Sequence, residues 1–227
     1  MIKLNNRLSV CASFVSGKGK AVDVGTDHAF LSVFLVQSGK CSEVIACDVN
    51  ERPLRFAEKT VETYKASDKI MLVLSDGLKN ISPEGVTDVI IAGMGGELIS
   101  RIISEAQWLK NGVNLILQPM TKAEILRKQL SEIGFDICRE QAASDDGFTY
   151  TVIQSVYCGE YITRDELYLY RGKISSQDSE GRKYLRLQAE RLKKIADGLS
   201  KSTYRKFQSE KYYALSEKLI AEVGNYD

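Results

Sequence analysis

The stretch from Ala21 to Leu31, AVDVGTDHAFL, limits the folds open to this chain more than any other. Ala21 to Val24 suit a buried strand, and Gly25 supplies the tight turn that lets backbone amides approach a ligand before a helix begins. The acids narrow the ligand. A dinucleotide site seats a pyrophosphate over glycines at a helix N-terminus, but Asp27 stands where a second glycine belongs and Ala29 where a third does. A carboxylate there repels phosphate. S-adenosylmethionine carries an ammonium and a sulfonium and no phosphate, so Asp23 and Asp27 beside one glycine turn favour it over NAD. The other reading of Asp27 is a helix cap, and a short glycine pattern does not by itself choose between them.

A chain of 227 residues can hold one full α/β domain and a smaller appendage. Its five cysteines, Cys11, Cys41, Cys47, Cys138 and Cys158, are odd in number and form no CxxC pair, so they read as reduced, mostly core residues. His28 is the single histidine. That removes a histidine-rich metal site, so no metal is expected, and it leaves a serine-histidine triad only if His28 is the base. No stretch resembles a signal peptide or a membrane span, which gives the expectation of a cytoplasmic protein.

Asn5 to Val15 place Leu8, Ala12 and Val15 at helical spacing ahead of a Gly17-Lys18-Gly19-Lys20 turn. After the first strand come four further apolar runs: Glu43 to Cys47, Ile70 to Leu74, Val86 to Ile91 and Val113 to Leu117. Helical patterns separate most of them. Asn50 is placed to cap a helix through Ala57 and Val61, and Thr121 with Glu124 reads as a capping box opening a helix through Leu126 and Leu130. Strand alternating with helix predicts a parallel, doubly wound sheet. Phe135 to Arg139 and Phe148 to Tyr157 then read as a hairpin added to it.

Beyond Gly159 there are no strand runs and no proline, so residues 1–159 and 160–227 read as two domains. Thr163 with Glu166 reads as a second capping box, opening a helix with Leu167, Tyr170 and Ile174 on one face. A polar break runs from Ser175 to Gly181. Leu185, Leu192, Ile195 and Leu199 then recur at near-heptad spacing, and Tyr212, Leu215 and Leu219 continue on a second helix. Two antiparallel helices in a coiled-coil hairpin follow.

In a doubly wound sheet the ligand lies outside the C-terminal strand ends, so the residues after each apolar run carry the information. After the second run stand Asp48 and Val49, with Asp48 about 25 residues beyond Asp23, near the roughly 20 expected of a carboxylate that binds ribose. Asp76, Gly77 and Leu78 follow the third; an acid and a glycine there can meet an adenine ring. Ala92-Gly-Met-Gly-Gly96 follows the fourth. Gly93, Gly95 and Gly96 permit close approach by a flat substrate, and Met94 offers it an apolar face. Gln118 and Pro119 follow the fifth, Gln118 with donor and acceptor, Pro119 as a strand end. Turns need acids and glycines anyway; it is their conjunction at successive strand ends that points to a site. His28, at a helix start beside this site, reads as a packed, hydrogen-bonded side chain ahead of a general base.

From residue 160 onward the chain has 14 Lys or Arg against 11 Asp or Glu. Arg182, Lys183, Arg186, Arg191, Lys193 and Lys194 cluster on one helix and Lys201, Arg205, Lys206 and Lys211 on the next, with Tyr184 and Tyr204 among them. They suit either a solvated helical face or a phosphate backbone.

The motifs AVDVGTDHAFL, SDGL (Ser75 to Leu78), IAGMGG (Ile91 to Gly96) and LQPM (Leu117 to Met120), with the leading NRL (Asn6 to Leu8), resemble the bacterial tRNA adenine-22 N1-methyltransferases. The resemblance spans essentially the whole chain and is concentrated in residues 6 to 150. It implies a Rossmann-like class I methyltransferase domain with a C-terminal coiled-coil domain, S-adenosylmethionine as cofactor and tRNA as partner. Phe30 stands where the family usually has tyrosine, which removes any hydrogen bond of that hydroxyl. On this reading Asp23, Gly25, Asp27 and His28 hold the methionine end, Asp48 and Val49 the ribose, and Asp76, Gly77 and Leu78 the adenine. Gly93, Met94 and Gly95 flank the target base beside Asp27, which would stabilise the methylated cation. Arg7, Lys122, Arg127, Arg182, Lys183, Arg186, Arg191 and Lys194 would meet phosphates. Two rivals are a small-molecule methyltransferase with a dimerising helical tail and a non-catalytic RNA-binding protein; oligomeric state is left open. A dehydrogenase is disfavoured by Asp27.

Overall fold

Residues 2–17 and 19–224 are described by the computed structural model; Met1, Lys18 of the expected Gly17–Lys20 turn, and residues 225–227 lie outside them. Seven strands, β1 (Lys20–Val24), β2 (Glu43–Asp48), β3 (Ile70–Leu74), β4 (Val86–Gly95), β5 (Asn114–Thr121), β6 (Phe135–Asp145) and β7 (Phe148–Tyr157), form one sheet in the order β3-β2-β1-β4-β5-β7-β6. The first five are parallel, and β7 runs antiparallel to both β5 and β6. The hairpin therefore joins the sheet through its second strand, and β6 becomes the edge.

Side chains alternate between the two faces as the pleat demands. Ala21, Ile90 and Ile116 pack on one side against α1 (Asn6–Phe14), α2 (Phe30–Gln37) and α3 (Glu51–Thr63). Val22, Val89, Ile91, Leu115 and Leu117 pack on the other against α4 (Gly96–Glu105) and α5 (Ala123–Glu132). Helices on both faces explain why the central strands are nearly unbroken apolar runs. The strand order reverses between β1 and β4, so the crevice opens above their C-terminal ends.

Both expected capping boxes resolve differently. Thr121 is the last residue of β5, which runs on through Pro119, and the cap of α5 is Lys122 at a left-handed φ of 56° without a side-chain bond. Asp165, not Thr163, caps α6 (Glu166–Arg171), accepting from the Tyr168 amide at 2.7 Å. Gly172, at φ 63°, stops that helix before Ile174. Local pattern alone could not tell which oxygen the strand would take.

The C-terminal helices α7 (Ser179–Ser200) and α8 (Lys206–Gly224) run antiparallel, since Ser209 Oγ donates to the Ala196 carbonyl and Ser216 Oγ to that of Ala189. Leu185, Ala189, Leu192 and Ala196 are buried at alternating four- and three-residue steps against Leu215, Leu219 and Val223. Ile195 is half-exposed. The seam runs through the alanines, whose small side chains carry little hydrophobic signal in the sequence.

Arg127 joins these helices to the sheet. Its guanidinium has no exposed surface, pairs with Glu140 of β6 through Nε (2.9 Å) and Nη2 (3.1 Å), and donates to the Leu169 carbonyl and the Tyr184 hydroxyl. The expectation that Arg127 grips phosphate is thereby corrected: no phosphate reaches it. Among the described residues no helix is long and apolar enough to cross a membrane.

Candidate active site

The loop after β1 is locked from below. Gly25 takes φ 73°, and its amide and that of Thr26 both donate to the Cys47 carbonyl at the end of β2, at 2.8 and 3.0 Å. Those two amides face β2 rather than a ligand, contrary to the sequence-based expectation. Asp27 and Ala29 follow at φ 53° and 57°, a left-handed conformation uncommon outside glycine and often kept at functional sites. The cap of α2 is Ala29, without a side-chain bond. Asp27 is therefore no helix cap, and its carboxylate stays 72% exposed.

Asp23, on β1, is buried, and its Oδ2 accepts from the hydroxyls of Thr26 and Ser32 at 2.7 Å each. Burial pushes its carboxyl above the ordinary aspartate range, against the opposing pull of the two hydroxyls. Ser32 gives no signal of this bond in the sequence, since a serine inside a helix does not point to the acid nine positions earlier.

Asp23 and Asp27 open into a cleft of about 530 Å³ that Gly25, His28, Asp48, Asn50, Gly93 and Arg7 also line. Asp48 Oδ1 accepts from the Asn50 amide at 2.9 Å, which fixes the turn after β2. Gln118 organises the opposite wall from a fully buried position. Its Oε1 accepts from Arg7 Nη1 at 2.6 Å and from the Gly93 amide at 3.0 Å, while its Nε2 donates to the Pro119 carbonyl. Arg7, expected on a phosphate, is thus held in the cleft, with Asp145 Oδ2 at 3.8 Å from its Nε.

The glycines at the end of β4 and the start of α4 differ in use. Gly93 takes φ 81° and opens toward Arg7. Gly96 faces inward instead, where a methyl group would collide with the Lys122 carbonyl oxygen. Gly96→Ala should therefore cost about 1–3 kcal/mol through backbone overpacking, despite alanine's better helix propensity. Thermal denaturation would read it as a lowered midpoint. Met94 packs its methyl where a Gly25 side chain would lie, so it supports the β1 loop rather than lining the cleft.

Asp76, Gly77 and Leu78 lie beside the cleft, not in its wall. Asp76 pairs with Lys79 (2.5 Å) and Arg101 (3.4 Å), the Lys79 bond first among the causes that hold its carboxyl low. Gly77 offers its carbonyl to Ser75, Leu78 is buried in the lower core, and Val49 is exposed. Of the basic residues, Lys122 pairs with Glu97, Arg191 with Glu124 through two bonds, Lys183 with the Ser144 hydroxyl, and Arg182 with the Ser176 and Gln177 carbonyls. Arg186 has a partner as well, and Lys194 lies along an exposed groove of α7 with Leu187 and Ile195.

A family model described as a methyltransferase domain matches residues 4–153. Over 153 residues the chain is 31% identical to the tRNA (adenine(22)-N(1))-methyltransferase of Bacillus subtilis, covering 67% of this chain and 64% of that enzyme. Sp1610 of Streptococcus pneumoniae superposes with a TM-score of 0.86 at 29% identity over 96% of this chain and 99% of that one. TrmK of M. capricolum, solved with S-adenosyl-homocysteine, gives 0.81 at 26% identity over 97% and 99%.

Proposed function

Because the chain belongs to the methyltransferase domain family, we propose that it transfers the methyl group of S-adenosylmethionine to N1 of adenine 22 in tRNA. The observation that carries the cofactor assignment is the charge of the cleft: three carboxylates, Asp23, Asp27 and Asp48, against one arginine. Such a lining repels a pyrophosphate and suits a ligand with an ammonium and a sulfonium. Its volume also lies within the range of small-molecule sites. The tRNA assignment is supported by the Bacillus subtilis relative, and by the family motifs that both halves of the cleft carry.

When bound, S-adenosylmethionine supplies an electrophilic methyl group. Asp23 and Asp27 hold the cationic methionine end, and Asp48 the ribose. The target adenine enters over Gly93, whose missing side chain leaves room for a flat ring beside Arg7. N1 carries its own lone pair, so no base or covalent enzyme intermediate is needed, and catalysis rests on orientation and on groups that favour positive charge growing on the base. Asp27 serves as that group, accepting from the exocyclic amino group. N1 is hidden in a Watson–Crick pair, so the nucleotide is unpaired or flipped when it reacts. Residues 160–227, packed on the sheet through Arg127, then act as the RNA-gripping part of the molecule, with Arg182, Lys183, Arg186, Arg191 and Lys194 on α7. Five free thiols fit a reducing cytoplasm.

The test is methyl transfer from labelled S-adenosylmethionine to unmodified tRNA transcripts, with the position found by the stop it causes in reverse transcription. A stop at adenine 22 that vanishes when that base is changed is the expected result. No incorporation despite measurable cofactor binding would move the substrate to a small molecule.

Cofactor affinity should also depend on pH through Asp23. Its raised pKa means that it takes up a proton at a higher pH than an ordinary aspartate, so affinity falls as pH drops through that value and is flat above it. Stability of the cofactor-free protein moves oppositely. As pH rises from the unfolded value of 3.8, the unfolded chain loses its proton first, so stability declines until the raised value is passed. Asp23→Asn should flatten both profiles in calorimetric titration and thermal melts.

A further inference from the structure

Three aromatic rings stand in contact on the rim of the cleft; of these only His28 is expected at the cofactor's methionine end, and Phe30 and Phe56 have no part in the methyl transfer. His28 stacks on Phe30 with centroids 5.4 Å apart and planes 13° from parallel, and it meets Phe56 of α3 at 5.1 Å. The Arg52 guanidinium lies 5.9 Å from the Phe56 centroid. All three rings are open to solvent: Phe30 is 45% and Phe56 38% exposed, and the His28 side chain 43%. His28 and Phe30 line the cleft, and Phe56 extends their surface outward along α3. Single exposed apolar side chains are ordinary, but a contiguous aromatic group at the mouth of a site marks a contact surface.

We propose that His28, Phe30 and Phe56 form a stacking surface for an unpaired nucleobase adjacent to the methylated adenine, an assignment that rests on the tRNA reading above. Flipping one nucleotide exposes the faces of its neighbours, and single-stranded bases are held by stacking on aromatic and guanidinium planes. The His28–Phe30 pair is already near-parallel, the arrangement a further ring can continue, and Arg52 lies at the outer end where the strand would leave. Flat rings recognise any base face, so the surface orients the strand without reading sequence. Asp27, with its Oδ1 3.7 Å from His28 Nε2, adjoins this surface.

The experiment uses Phe56, which lies outside the cleft lining. Full-length Phe56→Leu, which keeps apolar packing but loses the ring, and Phe56→Tyr, which keeps the ring, are compared with the wild type for tRNA KM, kcat, cofactor affinity and melting midpoint. A tRNA carrying 2-aminopurine beside the target adenine reports stacking by its fluorescence. The expected result is a tRNA KM raised about tenfold or more in Phe56→Leu, with kcat, cofactor affinity and midpoint unchanged. The wild type and Phe56→Tyr should quench the 2-aminopurine, and Phe56→Leu should not. Unchanged KM and equal quenching in Phe56→Leu would overturn the inference while leaving tRNA methylation standing. A parallel loss of cofactor affinity would also overturn it, by making the ring a support of the cofactor site. A wild type that methylates no tRNA would fail the underlying reading, and this proposal with it.

Discussion

Arg127→Ala is expected to destabilise the protein by about 3–5 kcal/mol, the range for breaking a fully buried ion pair from one side. The arginine satisfies both Glu140 carboxylate oxygens, the Leu169 and Tyr170 carbonyls and the Tyr184 hydroxyl. Burial opposes its charge, and the Glu140 charge more than offsets that, raising the guanidinium's pKa. Truncation leaves Glu140 charged and without its partner in a closed interior. At 227 residues this corresponds to a midpoint lowered by roughly 10 °C in a thermal melt. Arg127→Lys should recover only part of the loss, because one ammonium cannot replace the planar fork. Arg127→Met with Glu140→Leu should recover more, since no bare charge remains. A double variant as unstable as Arg127→Ala would mean that the node acts by shape rather than charge. The carbonyls of α6 and the Tyr184 hydroxyl of α7 are the partners lost, so hydrogen exchange should loosen first at residues 166–185.

The second large effect is catalytic. Asp27→Asn should lower kcat by about 10²–10³, the cost typical of removing one group that stabilises charge in the transition state, and should also weaken cofactor affinity because Asp27 holds the cationic methionine end. Asparagine is the suitable replacement because it tolerates the left-handed conformation at φ 53° that alanine resists. The variant thus removes charge and leaves the loop in place. Steady-state kinetics with separate variation of tRNA and cofactor would show it. A drop confined to the cofactor KM would reassign Asp27 to binding the methionine end alone.

The site was legible where one residue type carries the constraint locally. The β1 loop needs a glycine at φ 73°, and only glycine takes that angle readily, so Gly25 and the acids around it stood out. The sheet was legible because helices cover both faces, which makes its central strands apolar and countable. Arg127 was not, since a basic residue among Ile125, Lys128 and Gln129 reads as a solvent-facing helix position. Its partner is on a strand 13 residues away, and its other acceptors are carbonyls 42 and 43 residues on and a hydroxyl 57 residues on. Gln118 was seen to carry donor and acceptor, but its bridge from Arg7 to Gly93 spans 111 and 25 residues. The aromatic rim joins α3 to the β1 loop in the same non-local way. Pairings of that length leave no periodicity for sequence to display.

The placing of β7 between β5 and β6 has a temporal consequence. While the chain is being synthesised, β5 remains an open edge until residue 157 has emerged, because the strand that closes it is made last in the sheet. Helix α1, made first, waits too: Asn6 bonds the Ser144 carbonyl, Arg139 lies over the Phe14 ring at 3.7 Å, and Arg7 faces Asp145. The arginine of the cleft is thus fixed by residues translated some 140 positions later. Such long-range closure is slow to form, so the β5 edge and the Arg7 side of the cleft are among the last parts that the emerging chain can complete. Premature release of the chain before the hairpin would yield a protein with half a site and an unpaired strand, a target for proteolysis before it is a catalyst.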